Sequence, residues 1–263
     1  MNFVHHDDAA TLLRAHAIAS TSHAVLIPSY NTGARLLQTV MAIRRRDLPV
    51  WVIIDGSTDG SGDHLARIAA DDPDLEVCVL QRNQGKGAAI LHGLRLAHAR
   101  GFTHVMTMDA DGQHSADHIE TLIELSRAYP EAMVLGVPVF DASAPAIRVA
   151  GHVIANFSAN LATLWSGIGD SLFGFRIYPA AALLDAFGET RWMRRFDFDS
   201  EAAIRLCWRG VPPINVPTPV RYFRREDGGV SHFHYLRDNI LLVGMYARLF
   251  AERLRRRFRS FRR

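Results

Sequence analysis

Two cysteines, Cys78 and Cys207, and one lysine, Lys86, are conspicuously few in a chain of 263 residues. Two thiols without a C-x-x-C pair exclude a disulfide-built scaffold and a zinc ribbon. Both lie in apolar segments and read as buried thiols. The sequence has no run of about 18 apolar residues, so no spanning helix is expected. The opening MNFVHHDDAA has neither a basic stretch nor an apolar core. No secretory signal is therefore expected, and the reading is cytoplasmic. Low-complexity tracts, internal repeats and linkers are also absent. With 48% apolar and 22% charged residues, the composition is that of a globular chain, long enough for one elaborated domain.

Charge is unevenly placed. The net is +3, yet residues 248–263 alone hold eight arginines against one glutamate, so the rest of the chain is net negative. The high isoelectric point describes a tail, and the body offers no basic face for nucleic acid.

Short apolar runs alternate with helical patterns through the first half. Strands are predicted at 24–28, 50–55, 75–81, 103–109 and 132–137, with helices at 33–45, 61–70, 86–100 and 115–129 between them. Unbroken apolar runs suit strands covered on both faces, and strand–helix alternation with short loops predicts a parallel α/β sheet. The second half predicts a helix at 147–165, a strand at 171–178, a helix at 199–209 and a Pro-interrupted strand-like stretch at 211–224. From about 232 onward, Leu236, Ile240, Val243, Tyr246, Phe250, Leu254, Phe258 and Phe261 recur at steps of three and four, one helical stripe. The expectation is that 232–247 packs on the body and that 248–263 touches an anionic membrane surface as a basic amphipathic helix.

In a parallel α/β sheet, ligands sit beyond the carboxyl ends of the strands. Four strands here end in polar turns: Pro28-Ser29-Tyr30-Asn31, Asp55-Gly56-Ser57-Thr58-Asp59-Gly60, Arg82-Asn83-Gln84-Gly85-Lys86-Gly87 and Asp109-Ala110-Asp111-Gly112-Gln113-His114. Together they form one polar rim of the kind that holds a nucleotide. Asp109 and Asp111 place two carboxylates just past a buried strand. A magnesium or manganese ion relieves their repulsion and fills its remaining positions with water and phosphate oxygens, and Gln113 offers a neutral oxygen. The competing reading is an Asp-rich turn, although Ser115 is the better cap for the next helix. Gly85-Lys86-Gly87 fails the P-loop pattern but leaves a glycine loop before a helix N-terminus, which favours anions. Asp55 suits hydrogen bonds to a base or a ribose, or a simple turn. His114 and His118, and His232 with His234, are spaced to share a metal, but solvated histidines are the preferred reading.

The ordered set D-G-S-T-D-G-S (55–61), R-N-Q-G-K-G-A-A-I (82–90) and D-A-D-G-Q-H (109–114), with P-S-Y-N (28–31) before it and G-D-S-L-F-G-F-R (169–176) after it, resembles the family 2 glycosyltransferases of the A-type fold. The similarity is greatest to the dolichyl- and polyprenyl-phosphate sugar transferase branch and covers about 22–225. The resemblance implies a Rossmann-like, mostly parallel sheet flanked by helices. It implies an inverting, metal-dependent transfer of a sugar from a nucleotide-diphosphate sugar to a lipid or polyprenyl-phosphate acceptor.

Carried over residue by residue, Asp55 reads the base, and Pro28, Tyr30, Asn31, Asn83, Lys86, Gly87 and Ala110 line the nucleotide-sugar side. Asp109 and Asp111 hold metal and diphosphate, with Gln113 as a further ligand. Arg148 and Arg176 lie toward the acceptor or its phosphate. Asp170 is the first candidate base and Asp199 the second. If the acceptor is a lipid phosphate, it is already an anion and arginines matter more than a base.

This chain departs from the family pattern in having Ile54 where an aspartate is usual, and Ser171-Leu172-Phe173 where smaller residues are common. The sequence shows no membrane-spanning helix of the kind many relatives carry, so any membrane contact is expected to be interfacial, at the inner face of the cytoplasmic membrane. The implied organisation is an N-terminal extension (1–21), a catalytic domain (22–231) with a nucleotide half (22–137) and an acceptor half (138–231), and the basic helix (232–263). Two other classes were weighed. A sugar nucleotidyltransferase needs G-x-G-x-R after the first strand, where only Ser29-Tyr30-Asn31-Thr32-Gly33 stands. A non-catalytic nucleotide-sugar-binding membrane scaffold is disfavoured by the intact Asp109/Asp111 pair and Asp170.

Overall fold

The computed structural model of the chain describes residues 23–141, 144–220 and 235–260. The predicted N-terminal extension, the His232/His234 pair and the end of the 211–224 stretch lie outside these residues.

Among the described residues, seven strands form one sheet: β1 (His23–Ser29), β2 (Val50–Asp55), β3 (Leu75–Leu80), β4 (His104–Thr107), β5 (Met133–Val139), β6 (Arg176–Pro179) and β7 (Pro213–Pro219). Their order is β3-β2-β1-β4-β6-β5-β7. The first four are mutually parallel, and so are β5 and β7. Strand β6 runs antiparallel to both β4 and β5. The sheet is thus mostly parallel, as the resemblance implied, with β6 as the one antiparallel strand. The prolines of β7 are tolerated because it is an edge strand, where a missing ladder donor faces no neighbour.

Alternate side chains of each buried strand point to opposite faces. Ala24 and Leu26 join one apolar cluster, Val25 and Ile27 the other. Helices α1 (Ala34–Arg44), α2 (Ser61–Ala69) and α4 (Ile119–Ala128) cover the second cluster. Helices α3 (Lys86–Ala99), α5 (Ala146–Thr163), α6 (Ala180–Gly188), α7 (Phe198–Trp208) and α8 (Tyr235–Ser260) cover the first. Helix α6 was not expected. The predicted helix at 115–129 begins instead as a 3-10 turn, Ala116–His118, capped by the Ser115 hydroxyl. The predicted strand at 171–178 shrinks to β6, because the N–H groups of Leu172 and Phe173 are committed to Asp170 and that of Ser171 to Asn156.

Helix α8 corrects the expected division of the tail at residue 247. The Arg248 guanidinium donates to buried Glu201, Glu252 accepts from Arg205, Arg253 donates to the Ala162 carbonyl and Arg256 pairs with Glu189. Packing on the body thus continues to Arg256. Among the described residues no helix is long and apolar enough to cross a membrane.

Candidate active site

The polar strand ends converge on a cleft of about 720 Å³, within the size range of small-molecule sites. Pro28, Tyr30, Asp55, Asn83, Lys86, Asp109, Ala110, Asp111, Gln113, Arg148 and Asp199 all line it. They come from β1, β2, the loop after β3, the loop after β4, α5 and the first turn of α7, and only the fold brings them together.

The loop after β3 is held from below. The two carboxylate oxygens of Asp55, at the end of β2, accept the backbone N–H groups of Gln84 and Gly85, each at 2.8 Å. Gly85 has φ +101°, a conformation that side chains other than glycine rarely adopt. The loop then feeds Lys86 into the cleft as the first residue of α3. Asn31 does not line the cleft. Its amide oxygen accepts Thr58 N–H at 2.7 Å, stitching the β1 turn to the β2 turn. Gly87 is buried against the Met193 carbonyl, with no room for a side chain, and it too is not at the cleft. Ile54, in place of the family's aspartate, is buried and packs over Gly62.

Lys86 is the centre of the charge pattern. Its Nζ lies 2.7 Å from Asp109 Oδ1 and 2.7 Å from Asp199 Oδ2. Gly174 makes this reach possible, since a Cβ there would stand 2.5 Å from Nζ. Burial alone would lower the ammonium's pKa, but the two carboxylates outweigh it and hold the ammonium firmly protonated. Burial opposes ionisation of Asp109 too, yet Lys86 keeps that carboxyl below its usual range. Asp199 goes the other way. Burial raises it despite the Lys86 charge, and its second oxygen, Oδ1, is buried with no hydrogen-bond partner.

Asp111 is pushed up to about 6, first by burial and then by the Asp109 charge. Its Oδ1 accepts Gln113 N–H at 3.0 Å, so the turn reading is also correct locally. Two mutually repelling carboxylates and an amide oxygen at the cleft wall form a hard oxygen set that fits magnesium or manganese. Among the described residues no cluster of three acidic, histidine or cysteine side chains could hold a metal by itself. Protein oxygens would therefore supply part of such an ion's shell, and substrate and water the rest.

His114 was read as a solvated helix histidine, and that is corrected. It is buried, stacks on Phe175 with centroids 5.3 Å apart, and its Nδ1 accepts the Asp109 backbone N–H at 3.1 Å. Burial lowers it to about 4, so it is a neutral imidazole bracing the turn that carries Asp109. Nothing in its spacing marked it for this role.

Two further expectations change. Arg176, read toward the acceptor, is fully buried. Its guanidinium donates to the carbonyls of Phe173, Asp170 and Asp199, so it clamps main chain beneath the cleft and does not line it. Asp170, the first candidate base, is also buried and does not line the cleft. Its oxygens accept the N–H groups of Leu172 and Phe173, the Asn156 amide at 3.0 Å and His152 Nδ1 at 2.6 Å. Burial would raise this carboxyl, but the His152 and Asn156 hydrogen bonds keep it below its usual range, ionised and fully engaged. It positions His152, which does line the cleft and which sequence reasoning passed over. Of the two candidate bases, only Asp199 has an oxygen to spare.

Four parallel strands, an antiparallel insertion at β6 and an acidic pair at the strand ends define the A-type glycosyltransferase fold. Solved structures of this fold are similar over nearly the whole chain. Glucosyl-3-phosphoglycerate synthase from Mycobacterium tuberculosis, crystallised with Mn2+, UDP-glucose and phosphoglyceric acid, superposes with a TM-score of 0.62 at 17% identity, covering 91% of this chain and 82% of that one. Mannosyltransferase PcManGT from Pyrobaculum calidifontis, in complex with GDP-Man and Mn2+, gives 0.58 at 19% identity, covering 94% and 71%. In sequence, the undecaprenyl-phosphate mannosyltransferase of Micrococcus luteus is 27% identical over 217 residues, 77% of this chain and 84% of that protein. The Glycosyl transferase family 2 profile matches residues 24–187. The chain belongs to glycosyl transferase family 2, and it is a glycosyltransferase.

Proposed function

We propose that this enzyme moves a sugar, with inversion, from a nucleotide-diphosphate sugar to a membrane-borne acceptor, a lipid hydroxyl or a polyprenyl phosphate. The observation that carries the reading is the Asp109/Asp111 pair, strained by its own repulsion and facing a cleft beside the Lys86–Asp199 ion pair. Residues 22–137 form the nucleotide half, where Pro28, Tyr30, Asp55 and Asn83 border the nucleoside and Ala110 lies between the two aspartates. Residues 138–231 form the acceptor half, where Arg148 faces the cleft.

Asp109, Asp111 and Gln113 would hold Mg2+ or Mn2+. When bound, the ion acts as a Lewis acid on the leaving diphosphate. In the transfer, an acceptor oxygen bonds to the anomeric carbon and the bond from that carbon to the diphosphate oxygen breaks. The nucleoside diphosphate leaves with the electron pair. Asp199 Oδ1 takes the proton of a hydroxyl acceptor, and its raised pKa suits that task. A phosphate acceptor arrives already ionised, and Asp199 then serves to hold Lys86.

The name of the Micrococcus relative supports a polyprenyl-phosphate acceptor. The arginine-rich end supports a peripheral position on an anionic membrane, at the cytoplasmic face. The test is Asp109→Asn and Asp111→Asn. Each is expected to abolish metal-dependent turnover, and to remove the manganese-dependent thermal shift with nucleoside diphosphates, while the circular dichroism spectrum stays unchanged. Turnover in both variants equal to wild type would refute the assignment.

A further inference from the structure

Helix α5 is built inside out. Its inward positions are small: Ala155, Ala159, Ala162 and Thr163. Its outward positions are large and apolar. Ile154 is 69% and Phe157 57% exposed, and Ile147, Leu161, Leu164 and Trp165 are exposed with them. The steps from Ile147 through Ala150, Ile154, Phe157 and Leu161 to Leu164 are three and four residues, so these side chains form one stripe. A helix on a water-facing surface normally shows the reverse pattern. Contiguous exposed apolar surface marks an interaction face.

Three further features say what covers it. No acidic residue occurs between Asp141 and Asp170, so the stripe carries no negative charge. Helix α8 packs on α5 and carries exposed Ile240, Val243 and Leu254, followed by exposed Arg255 and Arg257. Trp165 closes the stripe, edge-on to Phe157 with centroids 5.6 Å apart, an aromatic at the border between apolar and polar surface. A transient protein interface would pair an apolar centre with a rim of both signs. An apolar ridge with no acidic residue along α5 and an arginine-rich end on α8 complements anionic headgroups over hydrocarbon. Ile147 belongs both to the stripe and to the cleft wall, so the covered face and the mouth of the site are continuous.

We infer that the outward face of α5, with the adjoining arginine end of α8, is the surface on which the enzyme docks to an anionic lipid bilayer, seating the acceptor half of the cleft against the membrane. The inference rests on the reading that the acceptor is membrane-borne. It moves the main contact from the tail to α5, since Arg248, Arg253 and Arg256 bond inward.

The experiment is co-sedimentation of the full chain with vesicles of three parts phosphatidylcholine to one part phosphatidylglycerol, and with phosphatidylcholine alone. Preferential binding to the anionic vesicles is expected, with a blue shift in tryptophan emission that Trp165→Phe removes. The double variant Ile154→Glu/Phe157→Glu should partition roughly a hundredfold less. Its melting temperature and its nucleotide-dependent thermal shift should match wild type, because both side chains already face solvent. Equal partitioning of the double variant and wild type overturns the inference, as does wild type left in the supernatant. A dimer that the double variant abolishes, without vesicle binding, also overturns it and assigns the face to a second copy. Vesicle binding that is lost in the double variant, from a wild type that binds no nucleotide, would sustain the docking face and remove the sugar-transfer reading instead.

Discussion

Replacing Lys86 by methionine removes the one cation that bridges Asp109 and Asp199 while keeping most of the side chain's volume. Both contacts are 2.7 Å, and the Lys86 side chain is 12% exposed. Breaking a buried ion pair by removing one partner costs about 3–5 kcal/mol, because a charge is left without compensation. Two features pull the value down. Asp109 is a third exposed, so solvent screens that limb. Asp199, already raised, can take up a proton. The lower end, about 3 kcal/mol, is therefore expected. For a chain of this size each kcal/mol moves the melting temperature by about 2–4 °C, so the metal-free variant should melt roughly 6–12 °C below wild type. Manganese should recover more of the loss in the variant than it adds to wild type, because it compensates the charge that Lys86 carried. Lys86→Arg should not rescue fully, since a planar guanidinium does not reproduce a point charge 2.7 Å from both carboxylates. Differential scanning fluorimetry with and without manganese reads all three outcomes. A metal-free Lys86→Met melting within 2 °C of wild type would refute the view that Lys86 neutralises a buried acidic site.

Two other perturbations probe the scaffold. Glu201 is fully buried and accepts Arg205 Nε at 2.7 Å and the Arg248 guanidinium at 2.9 Å. Glu201→Ala should cost about 3–5 kcal/mol and loosen α8, seen as faster tryptic cleavage within 248–257; unchanged digestion would contradict that anchoring. At the far end of the sheet, His23 is buried, bonds Ser126 Oγ at 2.9 Å and stacks on His104. Burial, then the His104 and Arg127 charges, lower it from 6.5 to about 4. The folded state binds fewer protons than the unfolded one across that range. His23 therefore contributes fully above pH 6.5, and about 3 kcal/mol is lost as the pH falls to about 4. Urea midpoints at pH 7 and pH 4.5 should differ less in His23→Gln than in wild type, and an identical difference would count against this account.

Much of the cleft wall built by β1 to β4 was legible along the chain because its signals are local. Asp55, Asn83, Lys86, Asp109 and Asp111 each lie at or just past a short apolar run of strand length, and the rule that parallel strands carry ligands at their carboxyl ends predicted that they meet. The acceptor side was harder. A run such as Ser171–Tyr178 is apolar enough for a strand, yet its first residues are held as a loop by the Asp170 carboxylate, whose partners Asn156 and His152 lie on α5, and only the end joins β6.

The order of strand ends, the acidic pair, the glycine loop and the basic helical end are properties of the sequence itself, since each depends on residue types a few positions apart. Tertiary structure alone decided that β6 runs antiparallel and that Arg176 is spent on main-chain carbonyls. It also decided that Asp199 and not Asp170 keeps an oxygen free, that Arg248, Arg253 and Arg256 of α8 bond inward, and that the large side chains of α5 face out. Those outcomes turn on which groups from distant segments reach one another first and exclude water, and a buried charge must find its partner wherever the fold supplies one.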